Sequence, residues 1–377
     1  MKQKILIASE NYAELDTYFK ENGIKSIMLV CGKSISSFHI NDYFEKLEIR
    51  EGIKVSRFMD FKPNPLYESV VKGVEFFREN GCELIVAVGG GSAIDVAKCI
   101  KLYSNMDTEI NYLEQLIIPN EVKLMVVPTT AGSGSEATRY AAIYYKGEKQ
   151  SITHESCIPS LVLVDASVLE TLPEYQRKAT MMDAFCHAIE SFWSINSTPE
   201  SKEYSAEAIR LIIENKDSYL KNNKVGNINM LRAANLAGKA INITQTTAGH
   251  AMCYKLTSLY GISHGHAAAL CTLVLWKFML ENMRQCVDSR GIEYLQNVFE
   301  EIANAMSCKT AETAIDFFHN FIYELGLGIP ILKAGKELHV LKASVNPVRL
   351  KNNPVGLKEK DIEELYRRIF DANMWRQ

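Results

Sequence analysis

The sequence predicts an α/β domain with a mostly parallel sheet over residues 1–173, followed by an all-α domain over residues 174–377. Two observations support this fold class. In the first half, short apolar runs alternate with amphipathic stretches, which is typical of parallel strands covered by helices on both faces. Strand-like runs then end near Leu172 and Pro173, and helical periodicity continues to the end of the chain.

The predicted elements follow in chain order. Four apolar, β-branched runs are predicted as buried strands: Ser26–Val30, Leu84–Val88, Lys123–Val127 and Leu161–Val164. Amphipathic patterns predict helices in both halves: Leu66–Asn80, Ser92–Tyr103, Tyr175–Trp193, Glu203–Asn215, Met230–Ile243, His266–Glu281, Gly291–Ala305, Thr310–Leu325 and Glu359–Asp371. The halves meet without a linker, so a cleft between them is expected.

Composition argues against several classes of protein. The 377 residues are 47% hydrophobic and 23% charged, with a net charge of −3, which is ordinary for a globular chain. The charges are interspersed, so the basic stripe of a nucleic-acid-binding protein is not found. No apolar run reaches the roughly 18 residues of a membrane span, and no signal peptide is evident. We expect a cytoplasmic protein that binds neither nucleic acid nor membranes.

A glycine-rich turn follows the predicted strand Leu84–Val88. Gly89, Gly90 and Gly91 would let a phosphate approach the backbone, and the following helix would offer free N–H groups. Ser92 is expected to cap that helix, and Asp95 lies in its first turn. This pattern predicts phosphate binding, although it is not the GxGxxG fingerprint. A tight turn without a ligand is the alternative.

A second polar loop, at residues 128–136, follows the next predicted strand. Ligands of doubly wound sheets bind beyond the carboxyl ends of strands. The two loops are therefore predicted to hold one dinucleotide between them, with Thr129, Thr130 and Ser133 as contacts in the second loop. A flexible, hydroxyl-rich connection is the alternative.

Histidines concentrate in the second half. Asp183 and His187 are four residues apart in a predicted helix, so both lie on one face and can share a divalent ion. His250, His264 and His266 follow in apolar or glycine-rich surroundings. Each of these histidines alone is more simply explained as a hydrogen-bonded core residue. Four histidines together, with a carboxylate in helical register, favour a metal site.

Four motifs resemble the iron-containing alcohol dehydrogenase family: VGGGSAIDVAK, PTTAGSGSEAT, DAFCHAIE and AGHAMCYKLTSLYGISHGHA. The resemblance spans roughly Val30 to Pro354, with the motifs in the family's order. It implies a Rossmann-like domain followed by a helical domain, the architecture shared with dehydroquinate synthase. It also implies a homodimer, an NAD(P) cofactor, and one Fe(II) or Zn(II) ion held by Asp183, His187, His250 and His264.

Two departures from common family members bear on chemistry. Tyr254 stands where many members carry a further histidine, so it either donates a hydrogen bond there or packs. Gly32 stands where NAD-preferring members often carry an aspartate that repels a 2′-phosphate. With Lys33 and Ser34 beside it, NADPH is favoured over NADH. The alternative is that Lys33 is a solvated loop residue.

The segment 250–267 and the tail Asn346–Pro354 resemble the subgroup that reduces phosphonoacetaldehyde to 2-hydroxyethylphosphonate in phosphonate biosynthesis. An anionic substrate needs cations near the metal, and arginine suits a phosphonate through bidentate donation. The candidate cations, each of which is otherwise a surface charge, are Arg139, Lys255, and Arg349 or Lys351. Arg139 and Lys255 are favoured, because they lie in loops assigned to the cleft. Asn64 resembles the family's segment near the nicotinamide.

The resemblance implies reduction of an aldehyde to a primary alcohol. The ion would act as a Lewis acid on the aldehyde oxygen, and the reduced nicotinamide would supply hydride. The proton would come from water, from Tyr254 or from His266. Three alternatives stay open: a broad alcohol or polyol dehydrogenase of the propanediol or butanol type, a cyclase similar to dehydroquinate synthase, and a non-catalytic scaffold.

Overall fold

The computed structural model describes residues 3–332 and 336–375. The chain divides into two compact units, one formed by Met1–Leu172 with Lys221–Leu231, the other by Pro173–Leu220 with Arg232–Gln377. The first unit is α/β and the second is helical, which confirms the predicted fold class. The segment Lys221–Leu231 belongs to the first unit although it lies far along the chain.

The first unit is built on a parallel sheet. Its strands in chain order are β1 (Lys4–Ile7), β2 (Ser26–Cys31), β3 (Lys54–Phe58), β4 (Leu84–Gly89), β5 (Lys123–Pro128) and, after a separate hairpin, β8 (Leu161–Val164). Their spatial order is β1-β8-β5-β4-β2-β3, and all pairings are parallel. The four predicted strands are confirmed, whereas the outer strands β1 and β3 were not predicted.

Helices cover this sheet, and the loops that follow its central strands leave it on one side. They are α1 (Ala13–Glu21), α2 (His39–Glu51), α3 (Tyr67–Glu79) and α4 (Gly91–Tyr103). Strands β4 and β5 are buried almost throughout, so their apolar side chains pack on both faces. Because β2, β4 and β5 run in parallel, the loops after Cys31, Gly89 and Pro128 leave the sheet at one edge.

The hairpin between β5 and β8 was not predicted. It consists of β6 (Tyr140–Tyr145) and β7 (Glu148–Thr153), paired antiparallel. Its two-residue turn has positive φ at Lys146 (51°) and Gly147 (81°), the conformation that a tight hairpin requires at both positions.

The second unit is helical. Its helices are α5 (Glu174–Trp193), α6 (Pro199–Leu220), α7 (Lys224–Thr244, whose first residues belong to the first unit), α8 (Ala248–Tyr260), α9 (His264–Glu281), α10 (Ile292–Ala305), α11 (Ala311–Glu324), α12 (Lys336–Ala343), α13 (Pro347–Leu350) and α14 (Glu359–Phe370). Helix α9 packs against both α5 and α8. Within the part of the chain that the structure describes, no helix is long and apolar enough to cross a membrane.

Candidate active site

Helix α5 presents the first two predicted metal ligands. From Met181 to Trp193 every residue of this helix is buried, so its polar side chains face neighbouring helices rather than solvent. Asp183 and His187 lie one helical turn apart, and Asp183 Oδ1 is 4.0 Å from His187 Nε2. The helical register read from the sequence places them together.

Helices α8 and α9 supply the other two. His250 lies in the first turn of α8, with its Nε2 atom 3.4 Å from Asp183 Oδ1. His264 is the first residue of α9, with its Nε2 atom 3.9 Å from the same oxygen. The rings of His187 and His250 are stacked, with centroids 4.3 Å apart and planes inclined by 14°. The structure thus brings all four predicted ligands around one carboxylate oxygen.

The donor set fits a divalent cation. Ligand atoms held about 2.1 Å from one ion in a tetrahedron lie roughly 3.4 Å from one another. The distances from Asp183 Oδ1 to the three imidazoles, 3.4 to 4.0 Å, are close to that spacing. One carboxylate and three neutral imidazoles leave net positive charge on a divalent ion. Both Fe(II) and Zn(II) accept these ligand types.

Burial and neighbouring charges set protonation states that suit metal binding. Burial by itself raises the pKa of Asp183, but the imidazoles of His187, His250 and His264 hold it well below its usual range. Burial lowers the pKa of His187 to about 4, so this imidazole is neutral at pH 7. His187 Nδ1 is also buried, and it hydrogen-bonds to no group among the described residues. An ionised carboxylate beside a neutral imidazole is the state in which both groups ligate.

Glu190, which contacts the cluster, was not predicted as a site residue. Glu190 is fully buried near the end of α5, and its Oε1 atom lies 2.6 Å from His250 Nδ1. Burial lowers the pKa of His250, but the charges of Glu190 and Asp183 outweigh it and raise that pKa to about 10. His250 is therefore protonated at pH 7 without metal, and an ion that binds it must displace a proton. The available signal was spacing, since Glu190 follows His187 by three residues on one helix face.

In the first unit, the two loops predicted to hold a dinucleotide lie side by side. A Cβ atom at Gly90 would be 3.3 Å from Thr130 Oγ1, and one at Gly91 would be 3.5 Å from Ser133 Oγ. Helix α4 begins at Gly91 with Gly90 as its N-cap, so the expectation that Ser92 caps the helix is wrong. Because glycine has no side-chain acceptor, Gly90 does not cap the first N–H groups of α4.

Asp95 bonds within the protein. Its carboxylate accepts from Ser135 Oγ at 2.8 Å and from the Ala142 backbone N–H at 3.1 Å. These bonds connect α4 to the second loop and to β6. Asp95 therefore holds the second loop to α4, and its expected contact with the cofactor stays a prediction.

Gly32 follows β2 in an extended conformation, with φ −89° and ψ 177°. A Cβ atom there would meet nothing within 4 Å, and the neighbouring Lys33 and Ser34 are exposed. Asn64 is also exposed, and it has a positive φ of 57°.

A cavity of about 340 Å³ lies beyond the carboxyl ends of β1 and β8, lined among others by Tyr12 and Asp165. This cavity could not be expected from the sequence, because β1 was not predicted.

Two family profiles match the chain almost from end to end. "Iron-containing alcohol dehydrogenase" matches residues 2–166, and "Fe-containing alcohol dehydrogenase family, C-terminal" matches residues 178–370. The chain belongs to the iron-containing alcohol dehydrogenase family. It is an oxidoreductase of the alcohol dehydrogenase type, as the sequence motifs predict.

Named relatives of this alcohol dehydrogenase differ in their substrates. The phosphonoacetaldehyde reductase of Streptomyces viridochromogenes is 30% identical over 277 residues, covering 69% of each chain. Long-chain-alcohol dehydrogenase 1 of Geobacillus thermodenitrificans is 26% identical and covers 93% of this chain and 91% of its own. The solved structure of sulfoacetaldehyde reductase from Bifidobacterium kashiwanohense, in complex with NAD+, is 25% identical with a TM-score of 0.85, covering 98% of this chain and 97% of its own.

The predicted substrate cations of this alcohol dehydrogenase lie in different surroundings. The Tyr254 ring stacks on His264, with centroids 5.1 Å apart, and the Arg349 guanidinium lies 5.9 Å from the Tyr254 ring centroid. Arg349 also donates to Thr246 Oγ1. Arg139, in contrast, forms an ion pair with Glu155 at 2.6 Å. Lys255 is partly exposed on α8. Of the candidate cations, Arg349 is therefore the one that these contacts connect to a proposed metal ligand, His264.

His266 is bonded through both ring nitrogens. Its Nε2 atom lies 2.8 Å from the Gly328 carbonyl oxygen, so Nε2–H donates there, and its Nδ1 atom accepts from Tyr175 Oη at 3.1 Å. Both ring nitrogens are thus engaged within the protein, and a proton transfer through His266 stays a prediction.

Proposed function

We propose that this enzyme reduces an anionic aldehyde to the primary alcohol, with phosphonoacetaldehyde as its substrate and 2-hydroxyethylphosphonate as the product. The observation that carries the proposal is the contact chain from Arg349 through Tyr254 to His264. The half-buried Arg349 guanidinium contacts the Tyr254 ring, and this ring contacts His264 of the ligand cluster. A short substrate with an aldehyde at one end and an anion at the other would need its cation in this position. The phosphonoacetaldehyde and sulfoacetaldehyde reductases among the relatives support the same substrate class.

The proposed ligands and their neighbours perform distinct parts of the reaction. Asp183, His187, His250 and His264 would hold the ion, which when bound supplies Lewis-acid polarisation of the aldehyde oxygen. The stacked ring of Tyr254 keeps His264 oriented, and its phenol is the proposed hydrogen-bond donor to the product oxygen, with water as the other proton source. Arg349 would bind the phosphonate through two parallel N–H···O bonds.

The substrate assignment is tested with the purified, metal-loaded enzyme. NAD(P)H oxidation is followed with phosphonoacetaldehyde, sulfoacetaldehyde and an uncharged aldehyde of similar length. Arg349→Ala should raise KM for the anionic aldehydes by about 10- to 100-fold, since it removes charge-assisted hydrogen bonds worth about 1.5–3 kcal/mol. It should leave KM for the uncharged aldehyde nearly unchanged.

Lys351→Ala is the matched control, because this residue is an exposed cation two positions further on. Equal loss in both variants, or a wild-type enzyme that prefers the uncharged aldehyde, would contradict the assignment. The second outcome supports the alternative of a broad alcohol dehydrogenase, which the 26% identity to a long-chain-alcohol dehydrogenase over 93% of the chain favours. No oxidation of NAD(P)H with any of the three aldehydes would instead favour the cyclase alternative.

We propose NADPH as the preferred reduced cofactor, bound by the loops at residues 32–34, 89–92 and 129–133. Gly32 carries no carboxylate to repel a 2′-phosphate, and its extended backbone and open surroundings accept a side chain without strain. Gly32→Asp should shift the kcat/KM ratio of NADPH to NADH towards NADH, and Gly32→Asn controls for size. An unchanged ratio in the aspartate variant would overturn this preference. The proposed homodimer is checked by light scattering of the same preparations.

A further inference from the structure

Glu190 is a fully buried carboxylate that neighbours the ligand cluster without being one of the proposed ligands. It accepts hydrogen bonds from two helices. Its Oε2 atom accepts from the Thr247 backbone N–H and hydroxyl, both at 2.6 Å. Its Oε1 atom accepts from the His250 backbone N–H at 3.0 Å, from His250 Nδ1 at 2.6 Å and from Thr272 Oγ1 at 3.4 Å. A buried carboxylate is tolerated only with such full satisfaction.

These contacts place Glu190 at the N-terminus of α8. Thr247 is the N-cap of that helix, and its own side chain caps no backbone N–H. The first N–H groups of a helix lack partners within it, and negative charge is favourable at that end. Glu190 supplies this partner from α5, so one side chain joins the start of α8 to the helix that carries Asp183 and His187.

The same carboxylate fixes which nitrogen of His250 faces the cluster. Because Nδ1–H is donated to Glu190, Nε2 is the ring nitrogen that faces Asp183, 3.4 Å away, and the one that can bind an ion. We propose that Glu190 is a positioning residue that orients His250 and strengthens it as a donor, and so sets the metal affinity of the enzyme. This inference rests on the proposed ligand set.

Gly249 supports the inference independently. A Cβ atom at this position would collide with Glu190 Oε1 and would lie 2.8 Å from Thr272 Oγ1. Alanine is the better helix former, so a helix interior would ordinarily favour it. The glycine leaves the space that the carboxylate needs to reach His250.

The test measures binding of Co²⁺, used as a spectroscopic probe, to the chelator-treated full-length protein. Glu190→Gln keeps the size of the side chain but places an NH₂ group against N–H donors. It should weaken Co²⁺ binding by about 10- to 100-fold and shift the visible absorption of bound Co²⁺. Gly249→Ala should change both in the same direction, although it favours the helix. Thr272→Val, which removes only the longest bond, should change neither.

Two further outcomes separate the possible failures. If His250→Ala binds Co²⁺ as the wild type does, the proposed ligand set is wrong. If His250→Ala loses the ion while Glu190→Gln and Gly249→Ala keep wild-type affinity and spectrum, only the role of Glu190 is overturned. Dissociation constants for NAD(P)H measured on each variant report folding; should Glu190→Gln not fold, Gly249→Ala alone decides between these outcomes.

Discussion

Gly265 shows how one residue controls the geometry of the proposed metal site. A Cβ atom there would collide with the Ala179 carbonyl oxygen and would lie 2.7 Å from Asp183 Cβ. Both atoms belong to α5, so α9 begins in direct contact with the α5 backbone. This close approach brings His264, the preceding residue, to Asp183.

Gly265→Ala should therefore separate α9 from α5 and lower bound metal to a small fraction of the wild-type content. Inserting a methyl group into a closed contact costs about 1–3 kcal/mol, so the protein is expected to remain folded. Elemental analysis gives the metal content, and the dissociation constant for NAD(P)H reports the first unit. Gly328→Ala is the control, since a Cβ atom there meets nothing within 4 Å. Full metal content in Gly265→Ala would contradict this reading.

At the residue scale, the sequence revealed those site residues whose combination of side-chain types is unusual. The pair Asp183 and His187 in helical register is common by itself, but together with further histidines in glycine-rich segments it stands out. Glu190 was missed because a glutamate in a helix is ordinarily solvated, and its burial depends on α8 folding over it. His266 was one of three proton sources considered from the sequence, and its hydrogen bond to Gly328, 62 residues away, could not be predicted.

At the scale of elements, a buried lysine holds the loop that follows β5. Lys98 on α4 is fully buried, and its ammonium donates to the carbonyl oxygens of Thr138 and Tyr140, both at 2.7 Å. It also donates to Ser135 Oγ at 3.2 Å, which in turn donates to Asp95. The loop proposed to contact the cofactor is thus fastened to α4 by buried charges.

Lys98→Met should loosen this loop, because it leaves carbonyl groups unpaired and removes the cation that acts most strongly on Asp95. Removing one member of a buried charged network costs about 3 kcal/mol or more, so amide exchange over residues 133–145 should accelerate roughly 100-fold. Mass spectrometry of hydrogen exchange measures this segment directly. The double variant Lys98→Met with Asp95→Asn should exchange more slowly than the single variant. Wild-type exchange in Lys98→Met would show that the loop does not depend on the lysine.

A second network secures the end of α5. Arg290 donates to Asp288 and to the backbone carbonyls of Ser194 and Ser197. Burial raises the pKa of Asp288, but the hydrogen bonds of Arg290 outweigh it and hold that pKa below its ordinary value. A depressed pKa means that this contribution to stability is present above the unfolded-state pKa, about 3.9, and is lost as pH falls below it.

Asp288→Asn should therefore lower the unfolding temperature of the metal-free protein at pH 7, and its effect should shrink as the pH approaches 3. Thermal unfolding of the wild type and the variant across this range gives the difference, in which pH effects common to both proteins cancel. A difference that stays constant down to pH 3 would show that the charge of Asp288 does not contribute.

Some strands and helices could be predicted from the sequence, and others could not. The central strands β2, β4, β5 and β8 were predicted because burial on both faces produces continuous apolar runs. Strands β1 and β3 lie at the two edges of the sheet, and their charged residues obscured the pattern. Helix α8 was missed because it begins in small residues and histidine, and its start depends on Glu190 from another helix.

For the whole molecule, an α/β unit and a helical unit carry the two parts of the proposed chemistry. The order of the sequence motifs, the family profiles and the ligand cluster all agree on an iron-containing alcohol dehydrogenase. The proposed substrate depends on charges such as that of Arg349, whose surroundings come from contacts between distant segments. That is why the sequence offered several cations and the structure favours one.

The central claim is that Asp183, His187, His250 and His264 bind one ion. It is tested most directly by anomalous diffraction from crystals of the metal-loaded enzyme, with data collected at the iron and zinc absorption edges. The account predicts a single strong peak about 2.0–2.2 Å from an oxygen of Asp183 and from one nitrogen of each histidine. A peak elsewhere, or one from which His264 is absent, would contradict it.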